Sequence, residues 1–136
     1  MKKLAVLISG SGSNLEAIVN ACNANHIHGK IVCVISNNPT AYGIERAKKF
    51  KIPIKIFDHR DYKNRHDFDD DLENFLEDLN LDLIVLAGFM RILGKKITIK
   101  FYGKMINLHP SLLPLYPGLN THHQVLMNND KYHGIS

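Results

Sequence analysis

The residues best suited to chemistry are Asn107 and His109, which stand two positions apart at the end of an apolar run, 104–108. On a β-strand, this spacing points both side chains toward the same face. Histidine transfers protons near neutral pH, and an asparagine amide can donate a hydrogen bond to a developing oxyanion. Three prolines stiffen the chain that follows: Pro110, Pro114 and Pro117. This combination favours an acid–base centre at a rigid strand end over a buried structural histidine.

A second candidate is the loop Ser9-Gly10-Ser11-Gly12-Ser13-Asn14, which lies between a predicted strand and a predicted helix. Its glycines allow backbone N–H groups to approach an anion, and the helix N-terminus adds a partial positive charge. The loop departs from the dinucleotide fingerprint because Leu15 stands where a third glycine is needed, and no lysine follows Gly12 as in a P-loop. A phosphate monoester site is favoured over a tight turn in which Ser13 or Asn14 caps the helix.

Two further stretches each admit two interpretations. The segment 88–93, GFMRIL, follows an apolar strand and either walls a pocket for a flat ring or continues into ordinary core. The acidic run from Asp67 to Asp78 could bind a metal ion. It is interpreted instead as the N-terminal half and the solvated face of a helix.

Strands alternate with helices along the chain. Short apolar runs predict strands at 3–8, 30–36, 54–58, 81–89 and 104–108, and helical periodicity predicts helices at 14–24, 41–50, 65–79 and about 119–129. This pattern predicts a single α/β domain over 1–136, with a doubly wound, mostly parallel sheet and helices on both faces. Ligands of such sheets bind beyond the carboxyl ends of the strands, which is where the candidate residues fall.

Composition narrows the possible partners. The 136 residues are 45% hydrophobic and carry a net charge of +4. No apolar run is long enough to span a membrane, and the apolar stretch 4–9 is too short for a signal peptide. Basic residues are scattered, so nucleic acid is the weaker interpretation. Small anionic ligands would explain the charge, and a solvated surface without any ligand is the default explanation. The two cysteines, Cys22 and Cys33, are predicted to be buried, reduced thiols of a cytoplasmic protein.

Three stretches of the sequence resemble motifs of the glycinamide ribonucleotide formyltransferases, the folate-dependent enzymes of purine synthesis. They are LISGSGSNLEAI, LAGFMRIL and NLHPSLLPLYPGLNTH. The resemblance extends from residue 4 to residue 136. Methionyl-tRNA formyltransferase and formyltetrahydrofolate hydrolase share the His-x-Ser-Leu-Leu-Pro core, but SGSGSN and GFMRIL favour the ribonucleotide enzyme.

The resemblance implies a reaction in which the amine of glycinamide ribonucleotide attacks the formyl group of 10-formyltetrahydrofolate, without a metal. Asn107 would bind the formyl oxygen, and His109 would act as the acid–base residue. The substrate phosphate would be held by Gly12, Ser13 and Asn14. Arg65 would be a basic residue of the ligand cleft. The segment that wraps the pteridine ring would be Met90, Arg91, Ile92 and Leu93.

In the family pattern, a strand begins near His133-Gly134-Ile135-Ser136, and later residues supply an aspartate that pairs with the catalytic histidine. The chain is therefore expected to be truncated before its last strands. Neither Asp130 nor His133 is assigned to the aspartate's role. One alternative that stays open is a catalytically weak ribonucleotide-binding remnant. An unrelated doubly wound nucleotide-binding protein is a further hypothesis, but the stretch NLHPSLLPLYPG weighs strongly against it. The oligomeric state is not predicted.

Overall fold

A five-stranded parallel sheet forms the centre of the molecule, in a computed structural model that describes residues 1–108. The strands are β1 (Lys2–Ile8), β2 (Gly29–Ser36), β3 (Ile54–Ile56), β4 (Leu83–Ala87) and β5 (Met105–Leu108). Their order is β3-β2-β1-β4-β5, and all four pairings are parallel. The predicted α/β class is confirmed. Three predicted features lie outside the described residues: His109, the prolines Pro110, Pro114 and Pro117, and the helix predicted at 119–129.

Helices cover both faces of the sheet, as predicted for a doubly wound fold. They are α1 (Ser13–Asn23), α2 (Tyr42–Lys49), α3 (Arg65–Asp78) and α4 (Lys95–Lys100), with a short 3-10 helix at His59–Asp61. Side chains of α1 and α2 pack in one hydrophobic cluster with one face of the strands. Those of α3 and α4 pack in a second cluster with the other face.

Alternation along β1 explains the two clusters. Leu4, Val6 and Ile8 point toward α1 and α2, whereas Ala5 and Leu7 point toward α3 and α4. All five are buried, because a parallel sheet covered on both faces needs apolar residues at every position. Each large side chain buried in this way contributes roughly 1.5–3 kcal/mol to folding.

The register of β2 slips by one residue against β1. Leu4 pairs with Ile31 and Ala5 pairs with Cys33, so Val32 is an extra residue that bends the strand. Cys33 consequently faces the α3 and α4 cluster, where burial raises the pKa of its thiol to about 11 despite the nearby Lys55. Cys22 is only half-buried, so the prediction that both cysteines are buried is wrong for it. Both are free thiols.

Several boundaries differ from the predicted ones. The strand predicted at 81–89 is confined to β4, because Gly88 adopts a left-handed φ of 76°. Upstream of β4, Asp82 instead accepts a hydrogen bond from the backbone N–H of Lys3. Helix α4 was not predicted, because it has six residues and buries one side chain, Ile97, which is too little for a periodic pattern.

Helix α3 shows the predicted apolar stripe but not a fully solvated acidic face. Phe68, Leu72 and Leu76 are buried in the cluster with the sheet. Asp69 and Glu73 are buried as well, so interpreting the whole acidic run as solvated is wrong at these two positions. They lie beside α4 and its preceding loop, where Glu73 meets Lys100 and Asp69 meets Gly94. No helix within residues 1–108 is long and apolar enough to cross a membrane.

Candidate functional site

The chain switches from one face of the sheet to the other between β1 and β4. The loop after β1 leads into α1 on one face, whereas the segment after β4 leads into α4 on the opposite face. The two strands are neighbours and their outgoing loops lead to opposite faces of the sheet, an arrangement that predicts a ligand crevice at the carboxyl ends. Such a switch point is the usual ligand site of an open parallel sheet. Loop 9–14 and segment 88–93 form its two sides.

Ser9 joins the two sides of the crevice. Its hydroxyl donates to Asn37 Oδ1 over 2.5 Å and accepts from the backbone N–H of Met90 over 2.8 Å. The Asn38 side chain donates to the carbonyl of Ser9 over 3.3 Å. Ser9 and Asn37 are both buried, so these bonds lie out of competing water. The tips of β1, β2 and β4 are thus connected through one side chain.

Helix α2 sets the orientation of two peptide groups in the loop. The N–H of Gly43 donates to the carbonyl of Gly10 over 2.9 Å, and Arg46 Nε donates to the carbonyl of Ser11 over 2.7 Å. In a trans peptide, the C=O and the following N–H point in opposite directions. The N–H groups of Ser11 and Gly12 therefore point away from α2, which leaves them oriented for an anion.

Gly12 begins α1 in a left-handed conformation with φ of 75°. A Cβ added there would lie 2.6 Å from the Cα of Gly43, so loop and helix pack too closely for a side chain. The predicted alternative, with Ser13 or Asn14 as the N-cap, is wrong, because both lie in the first turn of α1. Within residues 1–108, no side chain caps the first N–H groups of α1, which suits an anion-binding helix end.

Segment 88–93 combines the two predicted interpretations. Phe89 and Leu93 are half-buried against the α3 and α4 cluster, as ordinary core would be. Met90 and Ile92 are 83% and 73% exposed, as the wall of a ligand site would be. The Arg91 guanidinium lies 4.2 Å from the centre of the Phe68 ring, so its side chain turns toward α3 and away from solvent.

Asp69 of α3 fixes the end of this segment. Its Oδ2 accepts the N–H of Gly94 over 2.7 Å. Burial raises the pKa of Asp69, while the Gly94 N–H and the positive charges of Arg91 and Arg65 oppose that rise. Arg65 is the exposed first residue of α3. Arg91 and Arg65 thus act on this carboxylate as nearby positive charges.

Asn107 lies near the carboxyl end of β5 and pairs with Leu86 of β4. Met105 faces α3 and α4, so alternation places Asn107 on that same face of the sheet. It is a buried polar residue at the edge where the loops after β1 and β4 emerge. The predicted pairing of Asn107 with His109 falls partly outside the described residues and stays a prediction.

Another concavity, of about 570 Å³, lies at the opposite edge of the sheet. Its lining includes Met1, Gly29 and Lys30, at the amino ends of β1 and β2. It contains none of the predicted site residues. In the part of the chain that the structure describes, no group of three or more His, Cys, Asp or Glu side chains could hold a metal ion.

Comparison with known proteins matches residues 2–136 to the family described as formyl transferase. The chain belongs to the formyl transferase family. The phosphoribosylglycinamide formyltransferase of Haemophilus influenzae is 50% identical over all 136 residues, and that of Escherichia coli is 44% identical over 133. A crystal structure of glycinamide ribonucleotide transformylase 1 from Symbiobacterium toebii superposes on 93% of the chain with a TM-score of 0.78 at 40% identity.

This formyl transferase chain spans less than two thirds of those relatives. It covers 64% of the Haemophilus protein, 63% of the Escherichia protein and 60% of the Symbiobacterium chain. The resemblance drawn from the three motifs is confirmed at the level of the family. The roles of individual residues stay predictions.

Local sequence patterns do not reveal several residues of the site in this formyl transferase. Arg46 and Gly43 fit a helix without a further role, and Asp69 fits a solvated helix face. Their contacts join residues 25 to 35 positions apart, so no local spacing reveals them. One usable signal was Gly43, a glycine inside a predicted helix, which often marks a close approach of two backbones.

Proposed function

We propose that this formyl transferase serves the transfer of a formyl group from 10-formyltetrahydrofolate to the amine of glycinamide ribonucleotide in purine biosynthesis. The observation that carries the proposal is the switch point between β1 and β4, where the uncapped start of α1 follows one strand and the exposed side chains of Met90 and Ile92 follow the other. The relatives cited above are named for this ribonucleotide. Their names therefore favour neither formyl transfer to methionyl-tRNA nor hydrolysis of formyltetrahydrofolate. A cytoplasmic location belongs to the proposal, and two free thiols are compatible with it.

The loop after β1 is the proposed phosphate site. The N–H groups of Ser11 and Gly12 point away from α2, and the first turn of α1 adds those of Ser13 and Asn14. Together they supply several donors and the positive end of the α1 dipole to a phosphate monoester. This supports substrate binding by Gly12, Ser13 and Asn14.

The segment after β4 is the proposed donor site. Met90 and Ile92 expose apolar surface for a flat ring, and the backbone between them offers polar groups to its edge. The Arg91 side chain packs on Phe68, so Arg91 contributes its backbone N–H and C=O groups to this site. Arg65, exposed at the start of α3, adds positive charge for an anionic donor.

Asn107 and His109 are the proposed catalytic pair. The ribonucleotide amine attacks the formyl carbon, which forms a C–N bond and a tetrahedral oxyanion. Asn107 and protonated His109 stabilise the oxyanion. The bond to the folate nitrogen then breaks, that nitrogen takes up a proton, and the former amine loses one. No metal is part of the proposal.

The phosphate assignment is tested with Asn14→Leu in the full product of the reading frame that contains this chain. We expect the KM for glycinamide ribonucleotide to rise far more than the KM for the donor, because only the ribonucleotide carries the phosphate. Equal changes in both constants would reject the assignment.

The catalytic assignment is tested with Asn107→Ala, His109→Ala and the double variant. Each single change should remove most of kcat. The double variant should be little worse than the worse single variant, because groups that act on one reacting centre are non-additive. Losses that multiply would show that the two residues act on separate steps.

A further inference from the structure

The segment Met90–Gly94 is held at both ends by buried side chains from other elements. At its first residue, the N–H of Met90 donates to Ser9 Oγ over 2.8 Å. At its last, the N–H of Gly94 donates to Asp69 Oδ2 over 2.7 Å. Ser9 and Asp69 are each 9% exposed, so both bonds are shielded from water.

The backbone between these two bonds belongs to no helix or strand. Met90 and Ile92 project into solvent, so packing of those side chains does not hold it. Arg91 turns inward onto Phe68, and Leu93 packs against the α3 and α4 cluster. The two end bonds are therefore the main polar restraints that the described residues place on the segment.

Burying Asp69 for this purpose is costly. Its Oδ1 is buried without a hydrogen-bond partner among residues 1–108, and burial raises the pKa of the carboxyl group. An uncharged residue at this position would be less costly to bury. The cost of burying this carboxylate indicates that it serves a specific interaction. The hydrogen bond that it accepts is from the N–H of Gly94.

We propose that Ser9 and Asp69 are positioning residues that hold segment 90–94 in the conformation that binds the formyl donor. This inference rests on the proposed function of the segment. Neither side chain needs to touch the donor. Their effect is to order the backbone before binding, so that the donor does not have to order it.

The test compares Asp69→Leu with Asp69→Asn in the full product of the reading frame, at a temperature where both are folded. Leucine removes the acceptor, whereas asparagine keeps an oxygen for the Gly94 N–H. Titration with tetrahydrofolate should show binding about tenfold weaker for Asp69→Leu, the loss of one hydrogen bond to a charged group, and nearly unchanged for Asp69→Asn. Binding of glycinamide ribonucleotide should change little in either variant.

Glu73→Leu is the matched control. Glu73 is one turn further along α3, is equally buried, and meets Lys100 instead of segment 90–94. We expect it to lower stability without changing the affinity for tetrahydrofolate. At the other end, Ser9→Ala should weaken tetrahydrofolate binding.

The outcomes separate the inference from the proposed function. If the unmodified protein binds neither ligand, the proposed function fails and the inference fails with it. If it binds both, but Asp69→Leu binds tetrahydrofolate as tightly or Glu73→Leu loses as much affinity, only the inference is overturned.

Two further measurements apply if Asp69→Leu does not fold. Gly94→Ala should weaken tetrahydrofolate binding, because the added Cβ would lie 2.7 Å from Asp69 Oδ2 and displace the carboxylate. In the unmodified protein, the amides of Met90 and Gly94 should exchange with solvent more slowly than those between them. Unchanged binding in Gly94→Ala, or equal exchange along the segment, would overturn the inference.

Discussion

Asp69 and Glu73 differ in how the protein compensates their burial. Glu73 has the ammonium of Lys100 at 3.5 Å, and the same ammonium also binds Glu77. Asp69 has one backbone N–H, and the guanidinium groups of Arg91 and Arg65 act on it only as nearby charges. At the scale of single residues, Asp69 is therefore the acid whose ionisation opposes folding.

This difference predicts a pH-dependent stability. Because burial raises the pKa of Asp69 above 3.8, the folded state holds its proton at pH values where the unfolded state has lost it. The stabilising effect of that proton is present below pH 3.8 and is lost as pH rises through the folded pKa. Urea unfolding should show Asp69→Asn gaining stability relative to the unmodified protein between acidic and neutral pH.

Glu73→Gln serves as the control for that experiment, because it removes a charge from the same helix where a lysine compensates it. It should lose stability at neutral pH. If the stability difference between the unmodified protein and Asp69→Asn were independent of pH, the assigned shift in the Asp69 pKa would be wrong.

At the scale of elements, the junction between the loop after β1 and helix α2 determines the shape of the proposed phosphate site. Gly12 and Gly43 approach so closely that neither position has room for a Cβ. A Cβ on Gly43 would lie 2.5 Å from Ile8 Cδ1 and 3.1 Å from the Cα of Gly12. The short distance brings the Gly43 N–H and Arg46 Nε within reach of the loop carbonyls.

Gly12→Ala is therefore expected to be strongly destabilising. The left-handed φ alone costs an alanine roughly 1–2 kcal/mol, and the contact with the Gly43 backbone adds to it. Gly103→Ala is the matched control, because Gly103 has φ of 85° but its added Cβ meets no atom of residues 1–108 within 4 Å. Chemical denaturation should show a larger loss for Gly12→Ala. Equal losses would mean that the close packing contributes nothing.

Arg46→Leu tests the orientation of the loop. Without Arg46 Nε, the carbonyl of Ser11 loses its partner and the Gly12 N–H loses its fixed direction. The KM for glycinamide ribonucleotide should rise about tenfold, the cost of one hydrogen bond to a charged group, while the KM for the donor stays unchanged.

Lys49→Leu is the control for that variant. Arg46 Nη1 lies 2.8 Å from Glu16 Oε2, and Lys49 Nζ lies 3.9 Å from Glu16 Oε1 on a side chain that is 71% exposed. The control substitution should leave both KM values unchanged, because surface ion pairs contribute little. If Lys49→Leu raised the KM for the ribonucleotide as much as Arg46→Leu, general electrostatic attraction would replace loop orientation as the explanation.

At the scale of the whole molecule, the strands of the sheet differ in how strongly their backbone amides are protected from solvent exchange. β1 is central, pairs with β2 and β4, and is buried from Leu4 to Ile8. β3 has three residues, all half-buried or exposed, and within residues 1–108 it pairs only with β2. Opening of β1 therefore requires both clusters to come apart, whereas β3 can detach by itself.

Amide hydrogen exchange should reflect this order. The amides of β1 should exchange slowest, near the rate set by global unfolding, and those of β3 should exchange many times faster. Phe68→Leu in the α3 cluster should accelerate exchange in β1, because it lowers global stability, with little effect on β3. Protection of β3 equal to that of β1 would contradict the proposed hierarchy.

The sequence by itself determined the elements and the positions of the loops. Alternating apolar residues and helical periodicity are local signals, so β1, α1, β2, α2 and the stripe of α3 could be predicted within a few residues. The SGSGSN, GFMRIL and NLHPSLLPLYPG motifs indicated the family, because short motifs carry their information locally. The shortest helix, α4, had too few residues to produce such a signal.

Only the tertiary structure decided which residues meet. Strand order placed β1 beside β4, and this brought the Ser9 hydroxyl to Met90, 81 positions away. It also buried Asp69 and Glu73, which a solvated acidic face did not predict. The physical reason is that burial and hydrogen bonding depend on neighbours across elements, and a single helix or loop carries no record of what will pack against it.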